Sequence, residues 1–129
     1  MAYASAVAVA ADGVNVVVTI TETDADATAE VAVQLPFLSG RILKVTGALS
    51  AGTGTTIRPV IGVVTNPAGI DADTILSIDA ASAAASINAV TDPPPPWATA
   101  DGILYHRSRV DAGADNAITT VYYIQRGIA

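Results

Sequence analysis

The sequence predicts an all-β domain, a β-sandwich or jelly roll of about seven to eight short antiparallel strands with at most one short helix. Val, Thr and Ile together make 41 of the 129 residues, whereas there are only two Glu and one Lys. Strand formers therefore outnumber the residues that usually build surface helices. Loop-type segments also recur about every eight to twelve residues, a spacing typical of sandwiches. A chain of this length forms one domain.

The first eleven residues form a segment of their own, and the sandwich domain is expected over 12–129. Alanine occupies one parity of this segment, and the other parity carries Tyr3, Ser5, Val7 and Val9. Two interpretations stay open. The segment is either a loose chain terminus or an extended N-terminal arm that adds to the edge of a neighbouring subunit.

The next strands follow from alternation. After the turn at Asp12-Gly13, one face of 14–21 carries Val14, Val16, Val18 and Ile20. One face of the next strand carries Val31, Val33 and Leu35, and Pro36 ends that strand. We expect these two strands to form a hairpin. A third strand covers 41–49 and a fourth 57–65, where Pro59 predicts an edge strand or a bulge. A short fifth strand is expected over 70–78.

The middle of the chain is ambiguous. Residues 79–89 are rich in alanine and serine, so they fit either a short helix with Asp79 as N-cap or a loop with a small-residue strand. Residues 91–96 contain four consecutive prolines, which favour polyproline II geometry and end either structure.

Two strand-like runs close the chain, at 102–110 and 118–126, and the polar loop 111–117 between them predicts a hairpin. This segment holds three of the four tyrosines, the sole histidine and three of the six basic residues. Neither face of either run is cleanly polar, as in strands covered on both sides. Tyr and Arg are enriched in protein interfaces. The alternative is that the tyrosines cap the core with their hydroxyls at its rim.

Composition excludes several function classes. The net charge is −6 and there is no cysteine, so we expect no cationic stripe for nucleic acid, no anionic-membrane docking and no disulfide or thiolate site. His106 has no recognisable nucleophile or orienting partner in the sequence, which predicts that it is structural or lies at an interface. We therefore expect no catalytic residue and no enzyme activity.

No cofactor or metal site is predicted. The pairs Asp24/Asp26, Asp71/Asp73 and Asp111/Asp115 offer oxygen ligands, but none fits an EF-hand loop, and aspartates in loops are more often turn formers. Whether they bind calcium stays open. The glycine-rich stretch 47–54 lacks the lysine of a phosphate loop and is expected to be a mobile loop.

The C-terminal segment resembles a known class of proteins. Residues 100–107, 111–116 and 122–124 are similar to the C-terminal hairpin of small β-sandwich virion proteins of tailed bacteriophages, namely capsid decoration (cement) and related minor structural proteins. The resemblance implies a protein assembled in the host cytoplasm that binds the major capsid protein on the outer surface of the virion. It also implies a symmetric homo-oligomer, often a trimer.

The sequence thus predicts a non-enzymatic virion protein that binds between capsid subunits and stabilises the shell. The candidate residues for the capsid or subunit interface are Tyr3, Val7, Val9, Tyr105, Arg107, Arg109, Tyr122, Tyr123 and Arg126. The alternative is a tail-fibre or adhesin module that binds a host glycan, for which the candidate residues are Trp97, Tyr105, Asp111 and Asn116.

Overall fold

The computed structural model of the chain describes residues 4–25, 30–63, 74–78, 84–111 and 115–127. Within these residues there are ten β-strands and no helix. The strands are β1 (Ala4–Ala11), β2 (Asn15–Ala25), β3 (Val31–Gln34), β4 (Ser39–Ala51), β5 (Ile57–Gly62), β6 (Thr74–Ser77), β7 (Ser86–Val90), β8 (Pro96–Ala98), β9 (Ile103–Val110) and β10 (Asn116–Arg126). The described part of the chain has no helix with the length and apolar character needed to cross a membrane.

The strands form two antiparallel sheets, which confirms the predicted all-β sandwich class. Sheet I has the order β1-β2-β10-β4-β7, and β8 pairs with β4 beside this path. Sheet II has the order β3-β9-β5-β6. The chain changes sheet at most of its connections, so sequence neighbours face each other across the core.

With β1 and β8 set aside, the other eight strands pair in a nested order. The first pairs with the last (β2 with β10), the second with the seventh (β3 with β9), the third with the sixth (β4 with β7) and the fourth with the fifth (β5 with β6). This is the pairing of a long hairpin rolled up into two sheets, which is the jelly roll.

The core lies between the inner faces of the sheets and follows the predicted alternation. On β2 the buried apolar residues are Val16, Val18 and Ile20, each at most 1% exposed. Sheet II contributes residues such as Leu104 and Ile61, and Trp97 stacks on Phe37 at one end with the ring centroids 5.8 Å apart. Burial of aliphatic surface on both inner faces is the main stabilising contribution.

Both predicted hairpins are wrong. β2 lies in sheet I and β3 in sheet II, and likewise β9 lies in sheet II whereas β10 lies in sheet I. Each loop therefore crosses from one sheet to the other instead of reversing within one ladder. β10 pairs with β2 and β4, and β9 pairs with β3 and β5.

The expectation for Pro59 is also wrong, because β5 lies inside sheet II between β9 and β6. The carbonyl oxygen of Pro59 accepts a hydrogen bond from the Ile78 amide on the β6 side, and regular pairing with β6 begins only at Val60. The N–H that proline lacks points to that same side, just beyond the ladder. The bulge in this pair lies at Ile61/Gly62 instead.

The structure bears on two of the alternatives that the sequence left open, at 79–89 and at 1–11. Residues 79–83 and 70–73 lie outside the described residues, but 86–90 form a strand, as the small-residue alternative predicts. The segment 4–11 is β1, an edge strand paired along its whole length with β2 of the same chain. The turn between them places Gly13 at φ +98°, and the Asp12 Oδ1 accepts the Asn15 amide at 2.8 Å.

Candidate functional site

Three predicted interface residues do lie together, on the outer face of sheet II. Along β9 the side chains of Leu104, His106 and Ser108 are buried, so Tyr105, Arg107 and Arg109 point away from the core. Arg58 of β5 is directly opposite Arg109 in the ladder and shares this face. We call the surface formed by Arg58, Tyr105, Arg107 and Arg109 the arginine face.

The arginine face is cationic on an acidic chain. It carries three of the six Lys and Arg residues of a protein whose net charge is −6. The Arg107 Nη2 donates a hydrogen bond to Glu30 Oε2 at 3.2 Å, and these two side chains are 13% and 19% exposed. Arg58 and Arg109 occupy facing positions of adjacent strands, so two further positive side chains lie close together on this face.

Arg58 was not among the predicted interface residues, although the alternation along its strand indicates that its side chain points outward. Ile57 and Ile61 are inward, which places Arg58 outward on the same strand. What the sequence does not contain is the pairing of β5 with β9, since these strands are about fifty residues apart and joined through other elements. Only that pairing brings the three arginines to one surface.

The prediction that Tyr122 lies at an interface is wrong, because its side chain is 0% exposed and belongs to the core of the chain. It points inward from β10, and its neighbour Tyr123 points outward from sheet I, where Lys44 Nζ lies 5.2 Å from the ring centroid. Arg126 is exposed at the end of the same strand and lines an open groove of about 410 Å³ together with Arg41 and Trp97.

Of the remaining predicted interface residues, those that the structure describes lie on the edge strand β1 of sheet I. Tyr3 lies outside the described residues. Val7 and Val9 lie on β1, 38% and 40% exposed, and all eight residues of that strand are exposed. They are therefore separated from the arginine face, which belongs to the opposite sheet.

A second constellation is a buried polar cluster that joins the two sheets. Glu22 of β2 and Tyr122 of β10 come from sheet I, and His106 and Ser108 of β9 come from sheet II; none is more than 1% exposed. The Ser108 Oγ donates to Glu22 Oε1 at 2.8 Å. His106 Nε2 lies 3.0 Å from Ser108 Oγ and 3.3 Å from Glu22 Oε1, and its Nδ1 lies 2.5 Å from the Tyr122 hydroxyl oxygen.

The hydrogen bonds assign the protons. Because the Ser108 proton goes to Glu22, the Ser108 oxygen accepts from His106 Nε2–H. In a neutral imidazole the Nδ1 atom is then an acceptor, and the Tyr122 hydroxyl donates to it. Burial raises the pKa of Tyr122 well above its usual value near 10, and the negative charge of Glu22 raises it further, so the phenol keeps this proton.

The cluster differs from a catalytic triad in two ways. In a triad the carboxylate and the nucleophile bind opposite nitrogens of the imidazole, whereas here Ser108 and Glu22 both approach Nε2. The cluster is also closed to solvent, so a substrate has no path to the serine oxygen in this fold. Its chemistry is that of a satisfied polar contact between sheets.

Three of the four residues considered for glycan binding make contacts with other residues of the chain. Trp97 is 5% exposed and stacked on Phe37, so it offers no free ring face to a sugar. Asn116 is buried, and its Oδ1 accepts the Gly54 amide at 2.9 Å. The Asp111 carboxylate accepts the amides of Thr55 and Thr56, each at 2.9 Å.

The glycine-rich stretch 47–54, expected to be a mobile loop, is largely strand instead, because β4 continues to Ala51. Asp111 and Asn116 flank the loop between β9 and β10 and hold residues 54–56 by their amides. Of the aspartate pairs considered for calcium, Asp71 and Asp73 lie outside the described residues, as do Asp26 and the side chain of Asp24. The described residues contain no group of three or more potential metal ligands.

Comparison of the chain with protein-family models, with curated proteins and with solved structures gives no match. Function is therefore inferred from the fold and from the surfaces described above.

Proposed function

We propose that this protein is a non-enzymatic phage virion protein that decorates and stabilises the outer surface of an icosahedral capsid by binding between capsid subunits. The observation that carries the proposal is the arginine face on the outside of sheet II. Arg and Tyr contribute strongly at protein interfaces, through planar bidentate hydrogen bonds and through rigid apolar area. The jelly roll is a frequent fold of viral capsid proteins, which supports the proposal by analogy only.

The face favours a partner that presents carboxylates. Three arginines and Tyr105 share this outer face, and Glu30 neutralises part of the charge of Arg107. Acidic groups of a partner would form charge-assisted hydrogen bonds with these guanidinium groups on binding. We therefore propose that the arginine face binds an acidic patch on the major capsid protein.

Stabilisation of the shell then follows from mass action. A protein that binds the assembled lattice and not the free capsid subunit stabilises the lattice by RT ln(1 + [L]/Kd) for each site. No bond is made or broken, and no cofactor is required. The closed hydrogen bonds of the buried cluster fit this role, because they hold the two sheets together without exposing a reactive group.

The test is co-sedimentation of the purified protein with undecorated capsids. We expect the wild-type protein to pellet with capsids and Arg58→Glu to lose about tenfold or more in affinity, because the change places a carboxylate on the face that should meet carboxylates. The variant should fold at least as well as wild type, since the new carboxylate lies opposite Arg109. Arg41→Glu is the matched control: it makes the same charge change on sheet I, and its binding should stay unchanged.

Ionic strength gives an independent arm of the same experiment. Between about 50 and 500 mM salt, wild-type binding should weaken more steeply than that of Arg58→Glu, because the screened interaction is the one that the variant lacks. Wild-type protein that stays in the supernatant, or an Arg58→Glu variant that pellets like wild type, contradicts the proposal. Selective binding to a glycan array without affinity for capsids would replace it with the glycan-binding alternative.

A further inference from the structure

The strand β1 is unusual because it is covered on neither face and pairs along only one edge. Its eight residues are all exposed, and it stands at the end of sheet I. Val7 and Val9 lie opposite Ile20 and Val18, so they belong to the core-side face of the sheet. They are nonetheless 38% and 40% exposed, which means that sheet II does not cover them.

The other edge strands of the described sheets have features that limit pairing with another chain. β3 and β6 in sheet II have four residues each, β7 in sheet I has five, and β8 begins at a proline. Short edges and prolines limit pairing with another chain. β1 is eight residues long and has no charge, no proline and no bulge in its pairing with β2. Its other edge pairs with no strand in the part of the chain that the structure describes, so the backbone donors and acceptors along it are available for pairing.

We propose that β1 pairs antiparallel with β1 of a second copy of this chain, so that sheet I continues across a two-fold axis. A long, flat and uncharged edge is a template for strand addition. The identity of the partner follows from self-complementarity. The net charge of −6 opposes association of two copies, but β1 carries no charged residue that would add to this repulsion.

Self-complementarity follows from the alternation of small residues. In a continuous two-fold sheet, residues of one face pair only with residues of the same face. The outer face of β1 is alanine at 4, 6, 8 and 10, so its pairs are Ala with Ala in each two-fold register that stays within the strand. With Ala8 on the axis, Val7 of one copy lies opposite Val9 of the other. The two half-exposed valines then cover each other on the core-side face.

The size of the contact sets its strength. Eight residues at about 3.3 Å each span about 26 Å, and a sheet is about 10 Å thick, which gives roughly 260 Å² on each chain. This is about a third of the roughly 800 Å² per partner in a stable complex. The dimer is therefore weak and dissociates on dilution.

Sedimentation equilibrium over about 1 µM to 1 mM tests the pairing. We expect the wild-type mass to rise from 13.0 kDa to twice that value. Ala8→Lys should stay monomeric throughout, because two lysines would face each other at the axis. Val90→Lys is the control: it adds the same charge at a position 74% exposed on β7, and it should dimerise like wild type.

Cysteine cross-linking tests the register. The chain has no cysteine, so Ala8→Cys has one thiol, and mild oxidation at high concentration should give a covalent dimer, whereas Val90→Cys should give roughly tenfold less. A wild-type chain that is monomeric at all concentrations overturns the proposal. So does a trimer, an Ala8→Lys variant that still dimerises, or a dimer that Ala8→Cys does not trap.

The self-association is independent of the proposed capsid binding. Ala8→Lys leaves the arginine face intact on the opposite sheet, and Arg58→Glu leaves β1 intact. An Ala8→Lys monomer that still pellets with capsids would support the dimer contact and the capsid contact separately. Failure of capsid binding would leave the sedimentation result unaffected.

Discussion

Replacing Tyr122 with phenylalanine tests the structural role of the buried cluster. The change removes one oxygen and keeps the ring, so it leaves little cavity in the core. It takes from His106 Nδ1 the hydroxyl that lies 2.5 Å away, at a site with no access to water. An unsatisfied buried polar atom costs about 1–3 kcal/mol. For a domain of this size 1 kcal/mol corresponds to roughly 4 °C in Tm, so the Tm should fall by about 4–12 °C.

The control is the neighbouring residue. Tyr123→Phe removes the same oxygen from a half-buried side chain on the outer face of sheet I and keeps the ring beneath Lys44. Its effect should stay within about 0.5 kcal/mol, or roughly 2 °C. Scanning calorimetry and urea denaturation of both variants give the comparison. Equal losses for the two variants, or no loss for Tyr122→Phe, would refute the assignment of the cluster as a stabilising contact between the sheets.

Two further predictions concern pH and close packing. The pKa of Tyr122 is raised in the folded state, so its contribution to stability is full below about pH 10 and is lost above it, where the unfolded chain releases the phenol proton first. Between about pH 8 and 11.5 the free energy of unfolding from urea denaturation should fall more steeply for wild type than for Tyr122→Phe, by up to about 1.4 kcal/mol per pH unit, and parallel curves would contradict this. Gly40→Ala should destabilise by about 1–3 kcal/mol, because its Cβ would lie 2.5 Å from the Gln125 carbonyl oxygen. Gly47→Ala should cost less, since its Cβ meets the movable end of Ile57 at 3.1 Å, and thermal melts of the two variants decide the order.

Local pattern predicted the strands well where one face is buried. The alternation at 14–21 placed Val14, Val16, Val18 and Ile20 on one inward face. The last three are core residues, whereas Val14 precedes β2 and is 55% exposed. The same period continued to position 22 places Glu22 inward as well, although a carboxylate is seldom a core residue. The strand extends to residue 25.

Strand pairing was the part that local pattern did not contain. A polar loop such as 111–117 joins two strands equally well within one sheet or across two sheets. The actual partners of β10 are β2 and β4, which are far away in sequence. The nested order of the jelly roll is thus fixed by which inner faces pack together, and not by the turns. Tyr122 was placed at an interface because the sequence alone does not show which face of β10 packs against sheet II.

The candidate sites were likewise predictable from local pattern only in part. Parity alone groups Tyr105, Arg107 and Arg109, which are alternate residues of one strand. The addition of Arg58 needs the pairing of β5 with β9, and the buried cluster needs contacts between side chains that are 84 and 86 positions apart in sequence. No feature of composition or spacing marks such contacts in advance.

The central claim is that the outer face of sheet II is a contact surface on a capsid. Imaging of capsids decorated with the wild-type protein by electron cryo-microscopy tests it most directly. We expect density in which Arg58, Tyr105 and Arg109 lie against acidic side chains at the junction of capsid subunits. A decorated particle in which this face points to solvent, or a capsid that takes up no protein at saturating concentration, would contradict the claim.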